Sequence, residues 1–292
     1  MKVAILFLTM SNVNFPEIWE KYFEKNTENF SIYCHPKYPE KVTINWMKSN
    51  IIQNIVPTEW GHLTNAYVEL LKASILDQSN THFVFVSDSC IPIKPFCEFK
   101  KFISKYPTNS SFISLRKFDD YNYKKSNLPN NYFTEFDPKN LIKHSGWFCL
   151  SRYHSEKLLK CPDVYKFNNI IAGDEHILSL IYSKKDKKFV NYKITYVNWN
   201  YSQSKIEKIN NQLKLLYEYQ ETTGKSKKQE IFELRKQKSI LGKHPKTYTK
   251  ISKKTFDKIK NSKSFFFRKF DKSSSIIKHF NKLLNNSICN SD

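Results

Sequence analysis

The chain has 292 residues, of which 40% are apolar and 15% aromatic. This content is enough to bury a core, which excludes an intrinsically disordered chain. The formal net charge of +21 comes from 48 Lys and Arg against 27 Asp and Glu, and it keeps open a partner that carries phosphates, an acidic polymer or an anionic membrane. The basic excess is concentrated in the last third of the chain, where a solvated basic surface is the competing explanation.

The amino-terminal run MKVAILFLTM is too short to cross a bilayer and is interpreted as a first buried strand. No other stretch approaches the roughly 20 apolar residues of a transmembrane helix, so we expect any membrane association to be peripheral. The six cysteines are Cys34, Cys90, Cys97, Cys149, Cys161 and Cys289. They form no CxxC pair, and four of them lie in or beside apolar runs. This pattern predicts buried thiols in a reducing, cytoplasmic compartment.

Short apolar runs alternate with amphipathic stretches through the first half of the chain. Strands are predicted at 3–8, 30–35, 51–56 and 82–88, with helices at 15–25 and 63–77. In the second helix a buried stripe is formed at spacings of three and four by Leu63, Tyr67, Leu70, Leu71 and Ile75. The alternation predicts an α/β fold with a Rossmann-like, mostly parallel central sheet flanked by helices.

The second half contains a long polar loop at 116–143 and further elements on both sides of it. These are a helix at 95–105, strands at 111–115, 145–151 and 193–200, a helix at 152–160, a helix beginning near 173, a helical region at 205–238, and one short helix after 273. We expect one domain over 1–272, with a nucleotide-binding half at about 1–115 and an acceptor-binding and catalytic half at about 116–272. Residues 273–292 are expected to form a tail.

Two acidic positions are candidates for chemistry. Asp88 follows the predicted strand at 82–88, and ligands of open α/β sheets bind at the carboxyl edge of the strands. Glu175 lies in the segment AGDEHIL, where Asp174 could serve as the N-cap of a helix and Glu175 would lie in its first turn. A strand cap at Asp88 and an acidic helix start at Glu175 are the structural alternatives.

Nine segments in order resemble the core-2/I-branching β-1,6-N-acetylglucosaminyltransferase family, which includes the peptide O-xylosyltransferases. They are IYCHPK (32–37), TEWGHLTNAYVELLKASI (58–75), FVFVSDSCIPI (83–93), SFISL (111–115), SGWFCLSRYHSEKLL (145–159), GDEHIL (173–178), TYVNW (195–199), GKHPKTY (242–248) and FFRKFD (266–271). The resemblance implies a GT-A fold and an inverting, single-displacement transfer of a sugar from a UDP-sugar without a metal. The sugar is expected to be N-acetylglucosamine, with xylose as an alternative.

The resemblance also implies roles for particular residues. Glu175 falls on the catalytic base, and Lys246 and Lys269 fall on the basic pair that holds the donor diphosphate. Arg268 would compensate for Lys246 where animal members have Arg. His35 and Lys37, with Asp88, fall in the region that meets the nucleotide, and the acceptor side is expected at Ser145, Gly146, Trp147 and Asp174. Animal members are anchored Golgi enzymes with several disulfides, whereas this sequence starts directly at its first predicted strand and has few cysteines. The chain is therefore expected to be a cytoplasmic bacterial or viral version.

The chain has no D-x-D pair, the motif through which many nucleotide-sugar transferases hold a divalent metal. Glu135 and Asp137 lie in the long loop rather than at a strand end. We therefore expect cationic side chains to neutralise the diphosphate, with no metal and no cofactor. In SFFFRKFDK, Arg268 and Lys269 stand between Phe267 and Phe270, so buried neighbours could anchor them; a surface basic pair on an edge strand is the alternative.

The net charge of +21 is also compatible with a protein of another class. A basic nucleic-acid-binding or scaffold protein that has kept a transferase fold without its activity would also have a Lys-rich last third. The sequence lacks zinc-finger spacing, an RNP-like segment and a Gly-rich phosphate loop, so a nucleic-acid partner is the less favoured prediction.

Overall fold

The computed structural model of the chain describes residues 1–24, 27–115, 141–241 and 245–284. The strands in these ranges are β1 Lys2–Thr9, β2 Phe30–Pro36, β3 Asn80–Ser87, β4 Ile91–Pro92, β5 Ser111–Ile113, β6 Cys149–Ser151, β7 Phe189–Asn191, β8 Thr195–Val197 and β9 Phe266–Arg268. The helices are α1 Pro16–Glu24, α2 Asn45–Lys48, α3 Thr64–Ile75, α4 Phe96–Ile103, α5 Arg152–Leu159, α6 Asn200–Thr223, α7 Lys228–Ile240, α8 Lys253–Lys260 and α9 Ile277–Leu284.

Six strands form the central sheet in the order β2-β1-β3-β6-β5-β7. The pairs β1–β2, β1–β3 and β5–β7 are parallel, and β6 runs antiparallel to both of its neighbours. Parallel strands need crossover connections, and α3 supplies the one between β2 and β3. The mostly parallel sheet flanked by helices confirms the predicted α/β class.

The alternation of side chains along β1 supplies both faces of the sheet. Val3, Ile5 and Phe7 are fully buried in one hydrophobic cluster with α1 and α4. Their neighbours in the sequence are buried in a second cluster with the stripe of α3, as the two-residue period of a strand requires. Burial on both faces explains why β1 reads as a continuous apolar run.

A second sheet of three strands has the order β4-β9-β8. Because β9 lies in its middle, the basic pair that ends β9 does not belong to an edge strand, and that alternative is wrong. Phe267 and Phe270 on either side of the pair are fully buried, as the sequence predicted. Buried neighbours thus fix the backbone from which Arg268 and Lys269 project.

Apart from the segment that carries Glu175, two predicted elements differ from the structure. The apolar run at 51–56 is not a strand: Ile51 makes one isolated bridge with Cys34, and Ile52 donates a backbone hydrogen bond to the Cys34 carbonyl. The helical region at 205–238 is two helices, because Gly224 ends α6 with a φ of 68°. A left-handed residue is the usual end of a helix, and glycine adopts it without strain.

The predicted loop and tail are described in part. Residues 116–140, including Glu135 and Asp137, lie outside the described residues, whereas Leu141 and Ile142 are buried and belong to the core rather than to a surface loop. The short helix expected after 273 is α9, and Phe280 within it is buried beside Phe15 and Ile276. The division of the chain at 272 stays a prediction.

The cysteines bear on the expected compartment. Cys34, Cys90 and Cys149 are buried free thiols, and Cys161 is a partly buried one. Cys97 on α4 is disulfide-bonded. Disulfides are typical of oxidising compartments, so Cys97 does not support the reducing compartment expected from the sequence. Within the described ranges, every helix is too short or too polar to be a membrane span.

Candidate active site

Three parallel strands end side by side and define the carboxyl edge of the central sheet. Thr9 at the end of β1 is paired with Pro36 at the end of β2, and Leu8 is paired with Ser87 at the end of β3. This edge is where an α/β sheet positions polar side chains for a ligand.

Asp88 and Lys37 both lie at that edge. The Lys37 amide donates to the Thr9 carbonyl at 2.8 Å. The Asp88 carbonyl accepts from the Asn14 amide at 2.9 Å, and its Oδ2 lies 3.4 Å from the Met10 amide. Both side chains are partly exposed.

His35 does not join them. Its side chain is fully buried, and Nε2 accepts a hydrogen bond from the Val56 amide at 3.0 Å. Desolvation by burial lowers the pKa of His35, which favours the neutral ring. The side chain is closed to solvent, so burial does not support the predicted ligand role of His35, which stays a prediction; its position near the end of β2 could not distinguish a core histidine from a binding one.

The segment that carries Glu175 is not the predicted helix. It forms two 3₁₀ turns, Gly173–Glu175 and Ile177–Leu180, with Ala172 before them at a φ of 58°. A Cβ atom on Gly173 would lie 1.8 Å from the Phe167 carbonyl oxygen, so only glycine fits there. Asp174 therefore lies inside a turn rather than at an N-cap, and the backbone approach at Phe167 explains why helical spacing was misleading.

Glu175 is held by a lysine that the sequence analysis did not single out. Lys143 Nζ lies 3.0 Å from Glu175 Oε2, with exposed side-chain fractions of 11% for Lys143 and 24% for Glu175. The Glu175 carbonyl also accepts a hydrogen bond from the His144 amide at 2.8 Å. The only signal in the sequence was the place of Lys143 two residues before Ser145, at the end of a segment interpreted as loop.

His144 links the segment of Lys143 to the segment of Glu175 through hydrogen bonds of its side chain. Its Nδ1 donates to the Ser145 carbonyl at 2.9 Å, and its Nε2 accepts from the Leu178 amide at 3.3 Å. Burial lowers the pKa of His144 to about 4, so the neutral ring is the form that makes both bonds at neutral pH. The backbone on either side of Lys143 and Glu175 is thus fixed.

Asp174 is buried beside Gly146 and Tyr67. A Cβ atom on Gly146 would lie 2.8 Å from Asp174 Oδ2 and 3.1 Å from the Tyr67 hydroxyl, which itself donates to the Gly146 carbonyl at 2.8 Å. Burial raises the pKa of Asp174 from 3.8 to about 7, and the neighbouring Glu175 carboxylate acts in the same direction. Two adjacent acidic residues thus have different environments, a pattern found where carboxyl groups do chemistry.

Trp147 and Arg268 form a stacked pair close to Ser145. The Arg268 guanidinium lies 4.3 Å from the centre of the Trp147 ring, and the Trp147 amide donates to the Ser145 hydroxyl at 3.2 Å. Arg268 Nε is buried and has no hydrogen-bond partner among the described residues. Its positive charge opposes the rise in the pKa of Asp174 and of Tyr67, which places this charge within electrostatic reach of the acidic pair.

Lys246 and Lys269 lie on adjoining segments. The Tyr248 amide donates to the Lys269 carbonyl at 2.8 Å, and Lys246 Nζ lies 5.0 Å from the centre of the Tyr248 ring. The Lys246 amide is bonded to the Asn198 carbonyl at 2.9 Å. Beyond Lys269, the Phe270 amide donates to the Ser89 carbonyl at 3.1 Å, which joins this segment to the turn that contains Asp88.

The arrangement therefore has two chemical sides. One side offers a partly buried carboxylate, Glu175, which can accept a proton. The other offers cations, with Arg268 stacked on an aromatic ring and Lys269 next to the carboxyl edge of the sheet. Such an arrangement can remove a proton from a nucleophile while stabilising negative charge on a leaving group.

Comparisons with known proteins identify the family of the chain. Residues 3–260 match the family model of the core-2/I-branching enzymes. The rice protein named glycosyltransferase BC10 (Oryza sativa subsp. japonica) is 27% identical over 175 residues, which cover 56% of this chain and 41% of the rice protein. The chain thus spans less than half the length of this relative.

A solved structure described as A197 from STIV matches 59% of this chain and 80% of its own, with 10% identity. Its TM-score of 0.30 is too low to carry an argument about fold or function. The match to the family model covers most of the chain and agrees with a mixed α/β domain of the GT-A type. The chain belongs to the core-2/I-branching enzyme family, a family of glycosyltransferases.

Proposed function

We propose that the chain transfers a sugar from a UDP-sugar to an acceptor hydroxyl on a glycan or protein, with inversion at the anomeric carbon and without a metal. The observation that carries this proposal is the partly buried Glu175 carboxylate, held by Lys143, together with the Arg268–Trp147 pair, whose charge acts on the neighbouring Asp174. A base and a leaving-group cation on separate elements match a single displacement.

In the proposed reaction, the acceptor hydroxyl attacks the anomeric carbon of the donor. Its proton passes to Glu175, the new carbon–oxygen bond forms, and the bond to the diphosphate breaks with its electron pair leaving on UDP. The carboxylate must lie within about 3 Å of the attacking oxygen for this transfer. The ion pair with Lys143 engages Oε2 and holds the carboxylate in one orientation, which favours such an approach.

The departing UDP gains negative charge, and cations aimed at it lower the barrier. We assign this task to Arg268, Lys269 and Lys246. Arg268 is pre-oriented by Trp147, and its buried Nε lacks a partner among the described residues, as expected of a donor that a ligand engages. Lys acts as a point charge, whereas Arg can hold two phosphate oxygens at once.

The remaining predicted residues divide between the two substrates. Lys37 and Asp88 at the carboxyl edge of the sheet are proposed to meet the nucleotide. Ser145, Gly146, Trp147 and Asp174 are proposed to border the acceptor. By family resemblance we propose N-acetylglucosamine as the first sugar to test and xylose as the second.

A donor-hydrolysis screen tests the proposal, since an enzyme without its acceptor often transfers the sugar slowly to water. The purified chain would be incubated with a panel of UDP-sugars in excess EDTA, and free UDP would be measured. We expect release of UDP from one or a few donors. Strict dependence on added Mn²⁺ would overturn the metal-free mechanism, and salt-sensitive DNA binding without any UDP binding would favour the nucleic-acid-binding alternative.

A further inference from the structure

Tyr67 on α3 is a buried tyrosine whose hydroxyl group has no task in the proposed reaction. The residue is only 1% exposed, and its ring stacks on Phe85 with 4.4 Å between the ring centres and packs at a tilt against Phe148 at 5.8 Å. A phenylalanine ring would make the same ring contacts. The hydroxyl is therefore the part of Tyr67 that hydrophobic packing does not explain, because a buried hydroxyl is costly unless it makes a hydrogen bond.

The Tyr67 hydroxyl holds one end of the peptide group that joins Gly146 to Trp147. It donates to the buried Gly146 carbonyl at 2.8 Å. The amide of the same peptide group, which belongs to Trp147, donates to the Ser145 hydroxyl at 3.2 Å. Because a peptide group is planar, hydrogen bonds to both its carbonyl and its amide fix the orientation of the whole plane. Two hydroxyl groups thus fix the backbone from which the Trp147 side chain projects.

The fixed peptide group carries the ring on which Arg268 is stacked. The Arg268 guanidinium lies 4.3 Å from the centre of the Trp147 ring, a distance at which a cation is attracted to an aromatic face. Among the described residues, no hydrogen bond to Arg268 Nε competes with this contact. The position of the Trp147 ring therefore determines where the guanidinium is held.

The Tyr67 hydroxyl also lies within electrostatic reach of the acidic residues. Burial raises the pKa of Tyr67 well above 10, and Asp174 and Glu175 act in the same direction, whereas the charge of Arg268 opposes them. A Cβ atom on Gly146 would lie 3.1 Å from the Tyr67 hydroxyl and 2.8 Å from Asp174 Oδ2, so both oxygens lie against the same glycine. The hydroxyl keeps its proton at neutral pH and remains a hydrogen-bond donor.

We infer that Tyr67 is a positioning residue for the donor site: its hydroxyl fixes the Gly146–Trp147 peptide group, and through the Trp147 ring it holds Arg268 where the diphosphate of UDP binds. This inference rests on the proposed function, in which Arg268 stabilises the departing UDP. Without the hydroxyl, the buried Gly146 carbonyl loses its donor and the peptide group is free to turn. The Trp147 ring then no longer holds the guanidinium in one orientation, and the advantage of a preorganised cation is lost.

A double-mutant cycle on UDP binding separates positioning from packing. Calorimetry would give the dissociation constant of UDP for the parent chain, Tyr67→Phe, Arg268→Ala and the double variant, and urea unfolding would show that each variant is folded. Ser145→Ala removes the hydrogen bond at the other end of the peptide group and is a second, independent variant, also made alone and with Arg268→Ala. Tyr22→Phe is the matched control, because Tyr22 is a buried tyrosine of α1 whose hydroxyl has no hydrogen-bond partner among the described residues.

We expect Tyr67→Phe and Ser145→Ala each to raise the dissociation constant of UDP about five- to tenfold when Arg268 is present. In the Arg268→Ala background each change should alter it less than about twofold, since the cation to be positioned is gone. Tyr22→Phe should bind UDP as the parent does.

The inference is overturned if Tyr67→Phe binds UDP as tightly as the parent, or if it weakens binding by the same factor in both backgrounds, which would indicate a general packing effect. It is also overturned if Arg268→Ala leaves UDP affinity unchanged. If Tyr67→Phe does not fold, Ser145→Ala decides between the same outcomes. Failure of the proposed function shows differently, as a parent chain that neither binds UDP nor hydrolyses any UDP-sugar.

Discussion

Lys143 Nζ and Glu175 Oε2 lie 3.0 Å apart in a place where the lysine side chain is almost closed to water. A buried ammonium is costly unless it is paired, so the Glu175 carboxylate stabilises the charge of Lys143. Glu175 was a candidate from the sequence, whereas Lys143 was not. The ion pair between them fixes the orientation of the Glu175 carboxylate.

Glu175→Gln tests the base directly. The amide keeps the shape of the side chain but cannot take a proton, so kcat for hydrolysis of the preferred UDP-sugar should fall about 10²- to 10⁴-fold while UDP affinity stays close to that of the parent. The measurement is UDP release together with calorimetric titration of UDP. Glu156→Gln is the control, since Glu156 is a half-exposed carboxylate paired with Arg152 on α5. Equal turnover in Glu175→Gln and the parent would show that another group is the base.

Lys143→Met tests whether the ion pair positions the base. The apolar side chain fills a similar volume but releases the carboxylate from its orientation, so kcat should fall about 10- to 100-fold with KM for the donor nearly unchanged. Lys143→Arg should recover part of kcat, which loss of packing alone would not explain. Lys2→Met is the matched control, because Lys2 forms a 2.7 Å ion pair with Asp77 at the amino end of β1. A rise in KM without a change in kcat would contradict a positioning role.

Arg268→Ala tests the leaving-group side. Loss of a cation stacked on Trp147 should lower kcat/KM for the UDP-sugar about 10²- to 10³-fold and weaken UDP binding. Arg268→Lys should restore part of both, since it keeps the charge but not the planar fork. Arg235→Ala is the control: Arg235 lies 5.8 Å from the centre of the Tyr217 ring in the α6–α7 pair. Unchanged UDP affinity in Arg268→Ala would remove Arg268 from the donor site.

Asp174→Asn tests the buried acidic residue through stability. The native pKa of Asp174 is raised to about 7, above that of an unfolded aspartate, so the native state binds more protons than the unfolded state between about pH 4 and pH 7. The free energy of unfolding contributed by this group is therefore fully present below about pH 4 and is lost as the pH rises through 7.

Asn is neutral at every pH, so Asp174→Asn should stabilise the chain more at pH 8 than at pH 5, by about 3 kcal/mol. Urea unfolding of both proteins at the two pH values provides the measurement. Asp77→Asn is the control: hydrogen bonds from Lys2 and Ser79 lower the pKa of Asp77 to about 2, so its effect should be the same at pH 5 and pH 8. An Asp174→Asn effect independent of pH would show that Asp174 is ionised in the native state across this range.

The elements with strong periodicity could be predicted from the sequence. β1 and β3 are continuous apolar runs because both of their faces are buried, and the stripe on α3 packs against the sheet as its spacing predicted. The run at 51–56 is apolar for a different reason, since it covers the edge of β2 through one bridge instead of a ladder. Composition alone does not distinguish these cases.

The site was predicted less completely, because its geometry depends on contacts between distant segments. Glu175 was chosen through resemblance, yet its helix was wrong because Gly173 is forced against the Phe167 carbonyl, a tertiary contact that spacing does not reveal. Lys143 was missed because one lysine among many looks like surface until its partner is known. The burial of His35 could not be predicted because a polar residue near the end of a strand can turn inward as well as outward.

Helices α6 and α7 pack against each other and form an excursion of the chain whose two ends lie close together. The chain departs after Asn198 and is back at Lys246, and the backbone bond of 2.9 Å between these two residues closes the opening. Because this bond joins the two ends of the excursion, the length of the excursion has little effect on the positions of the residues next to those ends. The excursion is thus a natural place to shorten the chain, graft a foreign segment or attach a reporter while the two sides of the site keep their spacing.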